Sequence, residues 1–177
     1  MSVFTNPPNR ARDTAAAYIA GILELLGERD PLAVLRGTAA ELRRLLEGVD
    51  DARLRRPEAP GKWSAVEVVQ HLADAEAAWA WRLRCTLAQD RPELTGYDQD
   101  AWVARLGYRE VPIEQALDQF EILRRTHLWL FDRLQPADFK RVGVHRERGD
   151  ETVEHMIRLF AGHDLVHLRQ LRRVLAG

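Results

Sequence analysis

The chain has 177 residues, of which 46% are apolar and 30% charged, and its formal net charge is −1. These values predict one globular domain. The nearly neutral net charge does not indicate binding to nucleic acid or to an anionic membrane. The single cysteine, Cys85, excludes an internal disulfide and a thiolate-rich zinc site. Residues 1–10 lack the basic-then-apolar pattern of a secretion signal, and no apolar run reaches the roughly 18–20 residues that span a bilayer. We therefore expect a cytoplasmic protein.

Apolar residues recur at helical spacing along the whole chain, which predicts helices throughout and no strand. The first helix is expected over residues 13–26 and ends at Gly27. A second helix begins where Asp30 caps and Pro31 takes the first helical position. Proline and glycine residues within 57–61 then predict a loop.

A third helix begins at an S-x-x-E capping box made by Ser64 and Glu67, in which each side chain satisfies a free backbone N–H group of the other residue. This helix is expected to extend to about Gln89. Residues 91–109 are expected to form a long, partly ordered connection. A fourth helix begins at Pro112, with apolar residues along one face.

The last helix begins near Thr152, after a second loop over residues 135–150, and extends almost to Gly177. Four long amphipathic helices preceded by a shorter one predict an all-α four-helix bundle with an additional N-terminal helix. We expect a single domain over residues 13–177 and a flexible N-terminus over residues 1–12. The core of such a bundle is a common place for a metal site.

Two histidines of the last helix, His163 and His167, lie one turn apart within its apolar stripe on a helical wheel. The stripe is formed by Val153, Met156, Phe160, Leu171 and Val174. Burying two imidazoles is costly unless each finds a partner. A shared metal ion satisfies both, since the i, i+4 spacing lets both reach it. The alternative is two core histidines that hydrogen-bond to their neighbours.

Two further histidines have weaker patterns. His71 follows the capping box by two turns and lies at the border of its apolar stripe, with Glu67 and Asp74 on the polar side. That position alone is typical of a surface histidine. His71 is therefore a candidate ligand only in combination with His163 and His167. His127 lies on the apolar face of the fourth helix, either as a packed core residue or as a polar group near the metal.

The segment HDLVH at residues 163–167 differs from the H-E-x-x-H pattern of metalloproteases, because Asp164 replaces the glutamate that serves as base. We expect Asp164 to orient a ligand histidine or a neighbouring helix instead. His155 faces away from His163, and Cys85 lies about 21 Å along the helix from His71, so neither is expected at the same site.

Four short motifs resemble those of one family. They are Lys62-Trp63-Ser64 followed by Glu67, His71, Leu72, Asp74 and Glu76; Tyr97-Asp98-x-Asp100-Ala101-Trp102; His145-x-Glu147-x-Gly149; and Ala161-Gly162-His163-Asp164 followed by His167 and Gln170. In this order they resemble the DinB-like (YfiT-like) superfamily, over most of the chain from Leu32 onward.

The resemblance implies a four-helix bundle with an unusual order of helices, often as a homodimer. It also implies one divalent metal ion held by three histidines, which correspond to His71, His163 and His167. Imidazole donors suit zinc or nickel, with iron or manganese as alternatives. Three neutral ligands leave open positions on the ion, which is the pattern of catalytic sites.

The family implies a hydrolase, or a transferase that uses a low-molecular-weight thiol, with a small-molecule substrate. An alternative from a different class is a non-enzymatic, metal-stabilised binding or dimerisation module in stress response. In a third alternative the histidines are structural and bind no metal.

Overall fold

Seven helices and three short strands make up the fold in the computed structural model, which describes the backbone of residues 11–177 and the side chains of residues 16–177. The helices are α1 Ala11–Leu26, α2 Pro31–Leu46, α3 Asp51–Arg55, α4 Ala65–Ala88, α5 Gln99–Arg105, α6 Ile113–Phe131 and α7 Val153–Ala176. The strands are β1 Glu93–Leu94, β2 Val142–His145 and β3 Gly149–Thr152.

The four long helices α2, α4, α6 and α7 pack against one another, and α1 packs on the outside of α7. The predicted four-helix bundle with an additional N-terminal helix is therefore confirmed. Neighbouring helices do not simply alternate in direction. Gln70 of α4 bonds to Gln119 of α6, and Glu76 further along α4 bonds to Arg124 further along α6, so these two helices run parallel. The long connection between them makes this possible.

The helix starts follow the capping residues in the sequence. The Asp30 side chain accepts a hydrogen bond from the Leu32 backbone N–H at 3.0 Å. Both halves of the capping box between Ser64 and Glu67 are present at the start of α4. Each side chain satisfies a backbone donor that has no partner within the helix, so the sequence determines where α2 and α4 begin.

Two apolar clusters fill the bundle. One contains Leu42, Leu72, Phe120 and Leu171, and the other contains Leu35, Leu83, Phe131 and Phe160. Near the junction of the two clusters, residues 71–76 of α4 and 163–167 of α7 include polar side chains. His71, Glu76, His163 and Asp164 are all buried there. The bundle therefore has a polar layer between two apolar ends.

The segments predicted as a connection, residues 91–109, and as a loop, residues 135–150, contain short strands that the sequence analysis did not predict. Strand β1 pairs in parallel with β2, and β2 pairs antiparallel with β3, to form a three-stranded sheet at one end of the bundle. The strands have only two to four residues, so they are too short to produce a visible alternation of polar and apolar residues. Gly149 adopts φ +83° and closes the turn between β2 and β3.

The N-terminal end is described only in part. Helix α1 already includes Ala11, the first residue whose backbone is described, and so covers two residues before the predicted start at Asp13. Residues 1–10 of the predicted flexible segment 1–12 lie outside the described residues, and the domain boundaries remain a prediction. In the part of the chain that the structure describes, none of the helices combines the length and the apolar character needed to cross a membrane.

Gly162 marks the closest approach of α1 to α7. A Cβ at this position would lie 2.6 Å from the backbone oxygen of Ile22 and would overlap the Ile22 side chain. We expect Gly162→Ala to lower the free energy of unfolding by about 1–3 kcal/mol, because α1 must move off α7. Thermal unfolding measures this loss.

A matched control is Gly37→Ala in α2, where nothing lies within 4 Å of the added Cβ. Because alanine costs less chain entropy than glycine in a helix, this change should stabilise the protein by about 0.5–1 kcal/mol. Equal effects of the two substitutions would contradict the close contact between α1 and α7.

Candidate metal centre

Three histidines from two helices meet inside the polar layer of the bundle. His71 lies on α4, and His163 and His167 lie one turn apart on α7; their exposed fractions are 1%, 7% and 2%. The predicted burial of the pair on α7 agrees with these values. His71 is buried although it lies at the border of the apolar stripe, because other elements cover the first half of α4 on almost every side, and even Glu67 and Gln70 are buried there.

The imidazoles face one another closely enough to share one ion. The Nε2 atoms of His71 and His163 are 3.2 Å apart, and one ring nitrogen from each of the three histidines lies within 4.8 Å of the other two. Two nitrogens that each bind one ion at about 2.0–2.1 Å lie roughly 3.0–3.4 Å apart. In the described residues, no other set of three histidine, cysteine or acidic side chains converges in this way.

Burial keeps the three histidines neutral. It lowers the pKa of each well below the usual range, and the neighbouring histidines lower it further. A neutral imidazole keeps a lone pair that a metal ion can accept, whereas a protonated one has none. The cluster is therefore an uncharged set of nitrogen donors near neutral pH.

Gln170 determines the orientation of one of these rings. His167 Nδ1–H donates to Gln170 Oε1 at 2.9 Å, which leaves the lone pair on the Nε2 atom of His167. The Nδ1 atoms of His71 and His163 have no such partner among the described residues. Trp63 packs against the cluster, with its ring centroid 4.9 Å from that of His71 and 6.2 Å from that of His167.

A cleft of about 580 Å³ lies beside the cluster. Trp63 and Gln170, which contact the histidines, form part of its wall. The rest of the wall is formed by Gly61, Lys62, Glu67, Asp100, Val103, Ala104, Gly107, Arg109 and Glu110. Trp102, which lies in the connection after α4, is not part of this wall. The three histidines do not line the cleft themselves; Trp63 and Gln170 lie between it and the cluster, and its wall carries both acidic and basic side chains.

Residues 35–171 match the family model of the DinB superfamily. The chain belongs to this superfamily. Curated relatives include proteins from Geobacillus thermodenitrificans (31% identical over 63% of this chain and 62% of the relative) and Geobacillus kaustophilus (28% identical over 79% of each). Both are named "Putative metal-dependent hydrolase". The alignments span less than two thirds of the first relative and of a similar one from Oceanobacillus iheyensis.

Among solved structures, this DinB superfamily member is similar to YfiT from Bacillus subtilis. The two share 25% sequence identity at a TM-score of 0.74, over 82% of this chain and 86% of YfiT. YfiT is described as a probable metal-dependent hydrolase with an unusual four-helix bundle topology. The parallel α4 and α6 agree with the unusual order of helices that the sequence motifs imply.

A buried charged network lies directly behind the histidine cluster. Arg124 of α6 donates to Asp164 at 2.7 and 3.1 Å, to Glu76, and to the backbone oxygen of Leu35 at 2.8 Å. Asp164 also accepts from the Thr38 hydroxyl at 2.6 Å. Asp164 therefore ties α7 to α2 and α6, which is the second of its two predicted roles. Sequence reasoning overlooked Arg124, although it lies on the apolar face of α6.

His127 belongs to this network and not to the three-histidine cluster. Its Nδ1 lies 2.7 Å from Glu76 Oε2, and it packs against Phe131 and Phe160. This contact agrees with the packed-core alternative for His127. Cys85 is buried against Leu94 and Met156, away from the cluster. His145 lies on β2 and is also buried.

Proposed function

We propose that this chain is a metal-dependent hydrolase that binds one divalent ion through His71, His163 and His167 and acts on a small-molecule substrate. The observation that carries the proposal is the convergence of three buried, neutral imidazoles. An ion held by three such ligands would keep open positions and its full charge, and it would supply Lewis acidity for the activation of water near neutral pH. The names of the curated relatives support the same reaction class.

The protein's own groups orient and enclose the donors. Gln170 fixes the ring of His167 through Nδ1, and the Arg124–Asp164 pair anchors the turn of α7 that carries His163. Trp63 covers one side of the cluster and separates it from bulk water. Groups that hold ligand side chains in place raise metal affinity, because less reorganisation is needed on binding.

The ligand type narrows the choice of metal. Imidazole nitrogens suit zinc or nickel, and iron or manganese are the alternatives. No cysteine is near the cluster, so a thiolate-rich site is not expected. Elemental analysis of untagged protein, followed by loading with each metal in turn, identifies the ion that binds tightest.

A thiol transferase is the second candidate from the same cluster. Three imidazoles without a protein carboxylate or thiolate leave room for an external thiol as well as for water. A non-enzymatic, metal-stabilised dimerisation module is the alternative from another class. The exposed Trp81 and Trp129, on α4 and α6, suit a homodimer contact, while the cleft beside the histidines favours an enzyme.

One assay separates these functions. Metal-loaded protein is incubated with ester and alkyl-halide electrophiles, with and without several low-molecular-weight thiols. Turnover of an ester without thiol, lost when His71, His163 or His167 is replaced by alanine, is the result that the hydrolase proposal predicts. Turnover only with thiol would identify a transferase. If protein that retains its metal turns over none of the electrophiles, with or without any of the thiols, the result would favour the non-enzymatic module.

Gln170 gives a test that does not depend on the substrate. We expect Gln170→Leu to weaken metal affinity by about 10–100-fold, because His167 loses the acceptor that fixes its ring. Gln170→Glu keeps an acceptor at the same place and should retain the affinity of the unmodified protein. Competition with a chromophoric chelator measures both. Equal affinity in Gln170→Leu and Gln170→Glu would show that the hydrogen bond does not orient a ligand.

A further inference from the structure

Trp63 lies between the open cleft and the buried histidine cluster. Its ring centroid is 4.9 Å from that of His71 and 6.2 Å from that of His167, and its plane is within 12° of the His167 ring. The same residue forms part of the cleft wall, whereas none of the three histidines does. A molecule in the cleft therefore meets Trp63 or Gln170 before it meets a ring nitrogen of the cluster.

Gln170 is the second residue shared by the cleft wall and the cluster, and it is held firmly. It lies within α7, and its Oε1 atom accepts a hydrogen bond from His167 Nδ1–H at 2.9 Å. Moving Gln170 aside would break this bond and release the ring of His167. A route past Gln170 would therefore disturb the donors that it leads to.

The side of the cleft formed by α5 and by the 3-10 helix Tyr108–Glu110 is also held in place. The hydroxyl of the buried Tyr108 donates to Asp74 of α4 at 2.5 Å. The Arg55 guanidinium donates to the backbone oxygen of Arg109. These hydrogen bonds tie this side of the cleft to α3 and α4, so it is not the part that moves most easily.

Trp63 itself has fewer restraints. It lies in the irregular segment 57–63 between α3 and α4, two residues after Gly61, which adopts φ +74°. Its backbone oxygen accepts one long hydrogen bond, from the Glu58 N–H at 3.5 Å. Its indole N–H donates to none of the residues that the structure describes. The half-buried ring is held by packing, which is less directional than a hydrogen bond.

We infer that Trp63 controls access from the cleft to the three histidines, and that it opens by a movement of its own ring while α4 and α7 stay in place. The cleft, at about 580 Å³, has room for the displaced ring. The opening belongs to the protein without metal; what passes it, a metal ion or a small-molecule substrate, rests on the proposed function. The gap that the ring leaves then limits the size of the substrate.

Diethyl pyrocarbonate, which acylates the free nitrogen of a neutral imidazole, tests this inference in metal-free protein. Peptide mass spectrometry measures the rate at each histidine separately. We expect Trp63→Ala to accelerate the modification of His71 and His167 about tenfold or more, because reaction no longer waits for a local opening. His155, which is half-buried on α7 and outside the cluster, is the internal reference and should react at the same rate in both proteins.

The matched control is Trp102→Ala. Trp102 is also half-buried, but it packs against Tyr97 and is not part of the cleft wall. This variant should leave the rates at His71 and His167 unchanged. Unchanged rates in Trp63→Ala, or an equal acceleration in Trp102→Ala, would overturn the inference. Trp63→Phe, which keeps a smaller aromatic ring, should give an intermediate rate. If Trp63→Ala does not fold, an unchanged rate in Trp63→Phe overturns the inference instead.

Urea distinguishes the movement of one ring from unfolding of the protein. A local opening exposes little surface, so the modification rates of His71 and His167 in the unmodified protein should stay constant well below the unfolding transition. Rates that rise with urea as steeply as the equilibrium constant for unfolding would show that the cluster is reached only through unfolding. That result would overturn the inference.

Zinc kinetics separate this inference from the proposed function. If Trp63 controls access, Trp63→Ala should accelerate the entry and the release of zinc by similar factors, so that the affinity changes little. If Trp63 only supports the cluster, the variant accelerates release alone and weakens the affinity, which would overturn the inference. Unmodified protein that binds neither zinc nor another divalent metal would contradict the proposed function, while the modification rates would still decide the role of Trp63.

Discussion

Replacement of His163 by alanine is expected to leave the purified protein without its metal ion. The Nε2 atom of His163 lies 3.2 Å from that of His71, and His163 is one helical turn from His167, so its removal leaves only two of the three nitrogens to hold an ion. Losing a partner of a ligand histidine costs about 10–100-fold in metal affinity, and losing the ligand itself should cost more than 100-fold. Elemental analysis of protein purified without added metal measures the occupancy.

The control for this variant is His155→Ala. His155 lies on the same helix, two turns earlier, and takes no part in the cluster. It should retain the occupancy of the unmodified protein, and both variants should keep their helical content. Full occupancy in His163→Ala would show that the ion, where one binds, is held elsewhere.

Replacement of Arg124 by methionine is expected to have the largest effect on stability. The change leaves Glu76 and Asp164 buried beside each other without the guanidinium that bonds to both. Removing one partner of a buried ion pair costs about 3–5 kcal/mol, because the remaining charge stays in a poorly solvating interior. At about 2–4 °C per kcal/mol, the unfolding temperature should fall by roughly 6–20 °C.

Arg125 offers the matched control, since it is the next residue of α6 and is exposed. Arg125→Met should change the free energy of unfolding by no more than about 0.5 kcal/mol. Adding Glu76→Gln to Arg124→Met should recover part of the lost stability, because it removes one of the two stranded charges. If the stability losses of Arg124→Met and Glu76→Gln simply add in the double variant, Arg124 does not stabilise the buried carboxylates. The buried network would then not stabilise the fold as proposed.

The helices were predictable because their signals are local. Capping residues such as Asp30 and Ser64 satisfy donors within three residues, and the apolar spacing of each helix depends only on that helix. The burial of His163 and His167 was predictable for the same reason, as both lie in the centre of one stripe. On a helical wheel of α4, His71 lies at the border of the apolar stripe. A wheel considers one helix alone, so it does not reveal that other elements surround this position.

Features that depend on distant parts of the chain were missed. Strand β1 pairs with β2 across about fifty residues, and neither is long enough to show a pattern. The ion pairs of Arg124 join α6 to α4 and α7, so no local spacing indicates them. A detectable sign was a charged residue on the apolar face of each helix, namely Glu76, Arg124 and Asp164, because buried charges require partners.

The most direct test of the metal centre is anomalous diffraction from crystals of the metal-loaded protein, with data collected on both sides of the absorption edge of the metal. We predict one strong anomalous peak at about 2.0–2.1 Å from a ring nitrogen of His71, of His163 and of His167. A peak bound to other residues, or no peak between these rings in protein that retains metal, would contradict this prediction.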